Sequence, residues 1–169
     1  MIGELFQRLA RQRAAPCQVN PSERRSRCRR YHLLLMPNIL GLGIDATDID
    51  RIASVIRRYG DRFLTRVFTD AEAAYCARRR VPAIHFAGRF AAKEAAMKAL
   101  GTGHTQQVLW RDVEVVRFGG PPQLRFHGGA AKRFASMGAE SSLLTITHSD
   151  TLAIAQVLLL GRDVGCGPD

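Results

Sequence analysis

The sequence lacks the features that mark disulfide-stabilised, zinc-stabilised and membrane-spanning proteins. It has four cysteines, with no CxxC pair and no histidine at zinc-finger spacing, which argues against a disulfide framework or a structural zinc. No apolar run approaches the roughly 20 residues of a bilayer-spanning helix. We therefore expect a soluble protein of the reduced cytoplasm, without contact to a membrane.

Lysine is also scarce, because only Lys93, Lys98 and Lys132 contribute to the 25 basic residues. Acidic residues number 15, so the formal net charge is +10. Such an excess indicates an anionic partner: nucleic acid, an anionic membrane, a phosphorylated ligand or an acidic protein. A G+C-rich coding sequence would explain the preference for arginine equally well, so we assign that preference no function.

The positive charge is concentrated at the start of the chain. Residues 1–35 hold eight arginines and two glutamates, a net +6, whereas the remainder carries +4. We interpret residues 1–35 as a basic extension, disordered or partly helical, with Met36 as a natural start. The compact domain then spans 36–162, followed by a tail at 163–169. The alternative is a nucleic-acid-binding protein that acts through 1–35, but the basic strand with interleaved aromatics that would support it is missing.

The domain has the pattern of an α+β protein. A glycine-containing strand, Ile39–Ile44, ends at Asp45, and apolar residues at helical spacing follow it. Thr69 and Glu72 form a capping-box signal for a second helix. Residues 83–100 are rich in helix formers, with Gly101 as the stop signal. The remainder predicts a two-stranded hairpin around Gly119–Pro122, a helix, and two apolar strands.

The helix over 83–100 is the most informative segment of the chain. Twelve of its 18 residues are apolar and surround the axis, which predicts burial on most sides. Its charged residues are Arg89, Lys93, Glu94 and Lys98. Because a carboxylate is costly to bury without a partner, Glu94 needs a cation, which is either Lys98 or a metal ion.

Asp45 and Glu94 are the candidate metal ligands. Two carboxylates, one on a strand and one on a nearly apolar helix, suit Mg²⁺, which takes one or two carboxylates together with substrate phosphates and water. Spacing by itself favours a plainer interpretation, in which Glu94 pairs with Lys98 and Asp45 caps a helix, by about three to one. Periodicity leaves both interpretations open.

Five strings of residues resemble one family in both content and order. They are GLGIDATDIDRI (41–52), RVFTDAEAAYC (66–76), AGRFAAKEAAMKALGTG (87–103), DVEVV (112–116) and LLTITHSDTLAIAQVLL (143–159). Together they resemble the holo-acyl-carrier-protein synthases, which are small bacterial phosphopantetheinyl transferases. The resemblance spans about residues 39–160. It implies an α+β fold with an antiparallel sheet packed against the long helix.

The resemblance also implies an activity. The family transfers the 4′-phosphopantetheine group from coenzyme A to a serine of apo-acyl carrier protein and releases adenosine 3′,5′-bisphosphate. By motif, Asp45 and Glu94 become the Mg²⁺ ligands, and Lys98 neutralises charge on the leaving phosphate. A metal-bound water or Asp45 serves as the base for the serine hydroxyl. The closest alternative is a transferase of broader specificity for polyketide or peptide-synthetase carriers.

Further residues follow from the same resemblance. One set surrounds the nucleotide and phosphates of coenzyme A: Arg89, Lys93, Lys98, Gly101, His148 and Ser149. A second set, Arg51, Arg57 and Arg58, faces the acidic helix of the carrier protein. The family forms homotrimers with the coenzyme A site between neighbouring subunits, so a second chain would complete the site.

Overall fold

The computed structural model describes residues 38–103 and 107–162. The predicted extension at 1–35 and the tail at 163–169 lie outside these residues. The helices are α1 (Ile49–Tyr59), α2 (Asp61–Val67), α3 (Asp70–Ala77), α4 (Pro82–Leu100) and α5 (Gly128–Ser136). The strands are β1 (Ile39–Asp48), β2 (Val113–Val116), β3 (Gln123–Phe126), β4 (Ala139–His148) and β5 (Leu152–Gly161), and a 3₁₀ turn covers Trp110–Asp112.

The strands form two antiparallel sheets. In the larger sheet β5 lies between β1 and β4, and in the smaller one β2 pairs with β3. The inner face of the larger sheet packs on α4, which also contacts α1, α3 and β2. This arrangement confirms the expected α+β fold with an antiparallel sheet against a long helix. Among the helices that the structure describes, none combines the length and the hydropathy of a membrane-spanning segment.

Helix α4 is the centre of the domain. Alanines are fully buried along it, and Met97 and Leu100 extend the same core toward its end. Because these side chains are small, other elements approach α4 closely on several sides. The apolar surface of α4 is therefore buried against several helices and strands. The helix ends as predicted, because Gly101 takes the left-handed conformation with φ 69°.

Strand β1 is longer than predicted. It continues past Ile44 to Asp48, so Asp45 lies within the strand rather than at its end. From position 42 onward exposed and less exposed residues alternate along β1: Leu42, Ile44 and Ala46 are exposed, while Gly43 and Thr47 are buried. Period-2 alternation therefore points the side chain of Asp45 toward α4. The cap of α1 is Asp48, whose carboxylate accepts from Arg51 N at 2.7 Å, so Asp45 does not cap this helix.

Candidate active site

Two glycines bring β1 onto α4. A Cβ added at Gly43 would lie 1.9 Å from the carbonyl oxygen of Ala95, and one at Gly41 would lie 2.2 Å from that of Ala99. Both distances are far below van der Waals contact, so only glycine permits this approach of backbone to backbone. The glycine-containing strand seen in the sequence therefore has a structural purpose, which is to place Asp45 against the polar stripe of α4.

Asp45 is held by groups from both elements. Lys98 Nζ lies 2.9 Å from Asp45 Oδ1 and also donates to the carbonyl oxygen of Ile44 at 3.1 Å. The hydroxyl of Thr47 donates to Asp45 Oδ2 at 2.8 Å. The Asp45 side chain is only 16% exposed, so these contacts fix its orientation in a largely dry position.

Asp45 and Glu94 line one cleft of about 350 Å³. Thr47 and Arg51 contribute further polar groups, and the remaining wall is apolar, made by Ala46, Ile52, Val55, Phe63 and Phe90. The two carboxylates predicted as metal ligands are thus brought together, one from the sheet and one from the helix. Among the described residues no group of three or more His, Cys, Asp or Glu side chains could hold a metal ion.

A second cavity, of about 250 Å³, is strongly basic. Arg89, Arg117, His85 and His148 line it together with Tyr75. The rest of its lining is apolar: Ile84, Gly88, Val115, Pro122 and Ile146. We call it the basic cavity. It contains two of the residues predicted to surround the phosphates of coenzyme A, Arg89 and His148.

Arg89 is buried in the wall of the basic cavity and is only 7% exposed. Its guanidinium lies 3.9 Å from the ring centroid of Tyr75, and Arg79 lies 4.0 Å from the same ring. Arg89 Nε has no hydrogen-bond partner within the described part of the chain. Arg89 carries its positive charge in the lining of the cavity, so the cavity favours an anion.

The titration of the neighbouring groups reflects this positive field. Burial lowers the pKa of His85, and the charges of Arg79, Arg89, His148 and Arg117 lower it further. Burial by itself would raise the pKa of Tyr75, but a hydrogen bond with Arg117 and the charges of three arginines outweigh it, so the pKa is lowered. Both shifts have the sign expected for a site that attracts negative charge.

Lys93 has a structural position instead of the predicted phosphate contact. Its side chain is fully buried, with Nζ 2.8 Å from Glu72 Oε2 and donating to the carbonyl oxygens of Trp110 and Val113. These three acceptors use all the donors of an ammonium group. Burial lowers the pKa of Lys93, while Glu72 opposes that effect. We therefore replace the phosphate-binding assignment of Lys93 by one in which it joins α4 to α3 and β2.

Gly101 and Ser149 stabilise local backbone structure. Gly101 is the C-cap of α4, and Ser149 Oγ accepts from the backbone N–H groups of Thr151 and Leu152 at 3.3 and 3.1 Å. In the described chain neither residue lines the cleft or the basic cavity. Their predicted contact with the nucleotide stays a prediction.

The three predicted carrier-binding arginines lie on α1 at the side of the cleft. Arg51 lines the cleft itself, Arg57 donates to Ser54 Oγ at 2.8 Å, and Arg58 lies 5.1 Å from the ring centroid of Tyr59. All three side chains are exposed. Helix α1 therefore carries exposed positive charge, and Arg51 brings part of it into the cleft with the two carboxylates.

Sequence reasoning missed four residues of these sites: Thr47, Tyr75, His85 and Arg117. Thr47 follows Asp45 by two positions in a strand, and residues with this spacing lie on the same face of the sheet. His85 precedes Arg89 by four positions in a helix, which also shares one face. These two spacings could have indicated Thr47 and His85 from the sequence. Tyr75 and Arg117 come from other elements, so no local spacing connects them with the site.

Comparison with known proteins assigns the family. The profile of the 4′-phosphopantetheinyl transferase superfamily matches residues 41–156, and the chain belongs to this superfamily. The chain is 48% identical over 122 residues to the holo-[acyl-carrier-protein] synthase of Koribacter versatilis, covering 72% of this chain and 98% of that protein. With the synthase of Methylorubrum extorquens the identity is 51% over 126 residues, covering 72% and 93%.

A solved structure matches as well. The holo-(acyl-carrier-protein) synthase of Bacillus anthracis, in complex with CoA (3′,5′-ADP), is 33% identical with a TM-score of 0.61, covering 73% of this chain and 98% of that one. These likenesses confirm the resemblance found in the sequence motifs.

Proposed function

We propose that this protein transfers the 4′-phosphopantetheine group of coenzyme A to a serine of apo-acyl carrier protein, as the names of its relatives indicate for them. The observation that carries the proposal is the cleft in which Asp45 and Glu94 lie together beside Lys98. The basic cavity and the arginines of α1 supply the two kinds of positive surface that such a reaction needs.

The reaction is a displacement at phosphorus. The serine oxygen of the carrier forms a bond to the phosphorus next to pantetheine, and the bond from that phosphorus to the bridging oxygen of the diphosphate breaks. The electron pair leaves on adenosine 3′,5′-bisphosphate, and the serine proton passes to Asp45 or to water. Lys98, which is half-exposed beside Asp45, can neutralise charge that develops on the leaving phosphate.

The residues of the cleft fit Mg²⁺. Asp45 and Glu94 supply two carboxylates, the number that Mg²⁺ accepts when substrate phosphates and water complete its shell. When bound, the ion would supply electrostatic stabilisation for the diphosphate. The hydrogen bonds that Thr47 and Lys98 donate to Asp45 keep its carboxylate oriented for this role.

The basic cavity is the place for the remaining phosphate groups of coenzyme A. Arg89 and His148 both line this cavity, and Arg89 Nε has no hydrogen-bond partner among residues 38–103 and 107–162. Arg89 and Glu94 are five residues apart on α4, which separates them by about 140° around the helix. The cavity and the cleft therefore open on different sides of α4, which supports a coenzyme A site completed by a neighbouring subunit.

The outer face of the larger sheet offers a surface for that subunit. Leu42, Leu158 and Leu143 lie in one row across β1, β5 and β4, and Leu42 and Leu143 are 58% and 56% exposed. Ile39 and Ile44 extend this apolar surface. Since such patches mark interfaces, we propose that two further copies of the chain cover it in a homotrimer.

The carrier protein would dock on α1. Arg51, Arg57 and Arg58 are exposed there, and Arg51 lines the cleft that the serine must enter. Their positive charge would attract an acidic carrier protein and favour orientations that bring its serine toward Asp45 and Glu94. The cytoplasmic location expected from the sequence stays a prediction.

The decisive experiment is a mass measurement. Incubating the protein with apo-acyl carrier protein, coenzyme A and Mg²⁺ should add the mass of phosphopantetheine to the carrier. Asp45→Asn and Glu94→Gln should each lower the rate by about 100-fold or more. Glu140→Gln, an exposed carboxylate outside both cavities, is the matched control and should keep its rate. An unmodified carrier with the unaltered protein would refute the proposed function.

The homotrimer has its own test. Light scattering should give three times the chain mass for the unaltered protein and a smaller mass for Leu42→Glu. A monomer at every concentration would refute the trimer and leave the transfer reaction to be judged by the mass assay.

A further inference from the structure

We propose that His85 is an additional binding residue of the basic cavity, which takes up a proton as a phosphate group of coenzyme A enters. The affinity for coenzyme A then depends on pH, and His85 contributes to that dependence. The inference rests on the proposed function and extends it, because none of the preceding assignments uses His85.

Geometry places His85 where a phosphate would be. It lies one turn before Arg89 on α4 and lines the same cavity, with its ring edge-on to Tyr75 at a centroid distance of 6.2 Å. Arg89 belongs to that wall, and its charge faces the same cavity. An anion attracted by Arg89 into this cavity would come close to the imidazole of His85, because both residues line it.

The groups that face His85 come from every element around the cavity. Tyr75 lies on α3 and Arg79 follows it, Arg89 shares α4, Arg117 follows β2, and His148 ends β4. No carboxylate of the described residues lines the cavity. Burial and these positive neighbours lower the pKa of His85 below 6.5, so the imidazole is neutral in the free protein at neutral pH.

A bound phosphate reverses this balance. Its negative charge favours the protonated imidazole and raises the pKa of His85 in the complex. Binding is therefore accompanied by proton uptake, and affinity rises as the pH falls from above the pKa of the complex toward that of the free protein. Because a phosphate monoester has its own second pKa near 6, the window to use is pH 6.5 to 8.

Calorimetry with coenzyme A and the full chain tests the inference. Titrations at pH 6.5 and 8, each in two buffers of different ionisation enthalpy, give both the affinity and the number of protons taken up. For the unaltered protein we expect binding about fivefold tighter at pH 6.5 than at pH 8, with net proton uptake between these values.

Two variants give opposite results on affinity. His85→Gln should bind more weakly at pH 6.5 and lose most of the pH dependence. His85→Lys, which keeps a positive charge throughout, should also lose the pH dependence but bind more tightly than the unaltered protein at pH 8. His127→Gln, an exposed histidine outside the cavity, is the control and should behave like the unaltered protein.

The outcomes separate this inference from the proposed function. If His85→Gln keeps the full pH dependence and proton uptake, the inference is wrong while coenzyme A binding stands. If the unaltered protein binds no coenzyme A at either pH, the proposed function and the inference both fail.

Discussion

Lys98 Nζ lies 2.9 Å from Asp45 Oδ1, although 53 residues separate the two in the chain. The sequence offered Glu94 as the partner of Lys98, because both lie on one stripe of α4. The structure shows Lys98 reaching across to β1, where it holds a carboxylate that lines the same cleft as Glu94. The lysine thus connects the two elements that form the candidate active site.

This position predicts the effect of removing the charge. Lys98→Met should lower kcat by about 100-fold, because a cation beside the leaving phosphate is lost. The chain provides a matched control in Lys132→Met, an exposed lysine on α5, which should keep its kcat. Steady-state rates of carrier modification measure both, and an unchanged kcat in Lys98→Met would contradict the assigned role.

The close approach of β1 to α4 predicts a stability effect. Gly43→Ala places a Cβ 1.9 Å from the carbonyl oxygen of Ala95, and backbone must move to relieve the clash. We expect a loss of about 2 kcal/mol or more in the free energy of unfolding. Gly120→Ala, where the nearest atom is 4.0 Å away, should stay within about 0.5 kcal/mol. Urea denaturation distinguishes the two, and equal midpoints would show that the approach is not tight.

The buried pair Lys93 and Glu72 predicts a strong coupling. Lys93→Met or Glu72→Gln leaves a buried partner uncompensated, so each should cost about 3 kcal/mol of unfolding free energy. The double variant should cost less than the sum of the two. Arg162→Gln, which breaks an exposed pair, should cost no more than about 1 kcal/mol. Additive losses in the double variant would argue against the pair.

The arginines of α1 predict a defect specific to the carrier. The double variant Arg57→Ala, Arg58→Ala should raise KM for acyl carrier protein by about tenfold and leave KM for coenzyme A unchanged. The reason is that both side chains are exposed and attract the acidic carrier protein over a distance. The effect should shrink at high salt. Arg162→Ala is the control for a lost surface arginine. A rise in KM for coenzyme A instead would move these residues to the nucleotide.

Glu114 predicts a change in acid stability. Burial by itself would raise its pKa, but hydrogen bonds from His127 and Thr69 and the charges of His127 and Arg125 outweigh it and lower the pKa below 4.5. A lowered pKa means that the stabilisation is present above pH 4.5 and is lost as the pH falls through the pKa of the folded state. Glu114→Gln should therefore lose less stability than the unaltered protein between pH 5 and 3, as measured by thermal unfolding. A steeper loss of stability in Glu114→Gln than in the unaltered protein would contradict a lowered pKa of Glu114.

Much of the fold could be predicted because its signals act over a few residues. The capping box of Thr69 and Glu72 and the stop of α4 at Gly101 are both present in the structure. The hairpin turn and the alternation of the later strands are equally local. The resemblance added Asp45 and Glu94, which periodicity had left undecided between a metal site and an ordinary ion pair.

The sequence by itself determined the apolar α4 and the order of the elements except α2, which it did not predict, and it supplied Asp45 and Glu94 as candidate ligands. Only the tertiary structure decided which charges meet: Lys98 with Asp45, Lys93 with Glu72, and His85 with Arg89 and Arg117 around one cavity. The physical reason is that helical and strand periods fix the face on which a side chain lies, whereas its partner depends on what packs against that face. Here the glycines of β1 and the alanines of α4 set that packing, because they allow the backbones to meet.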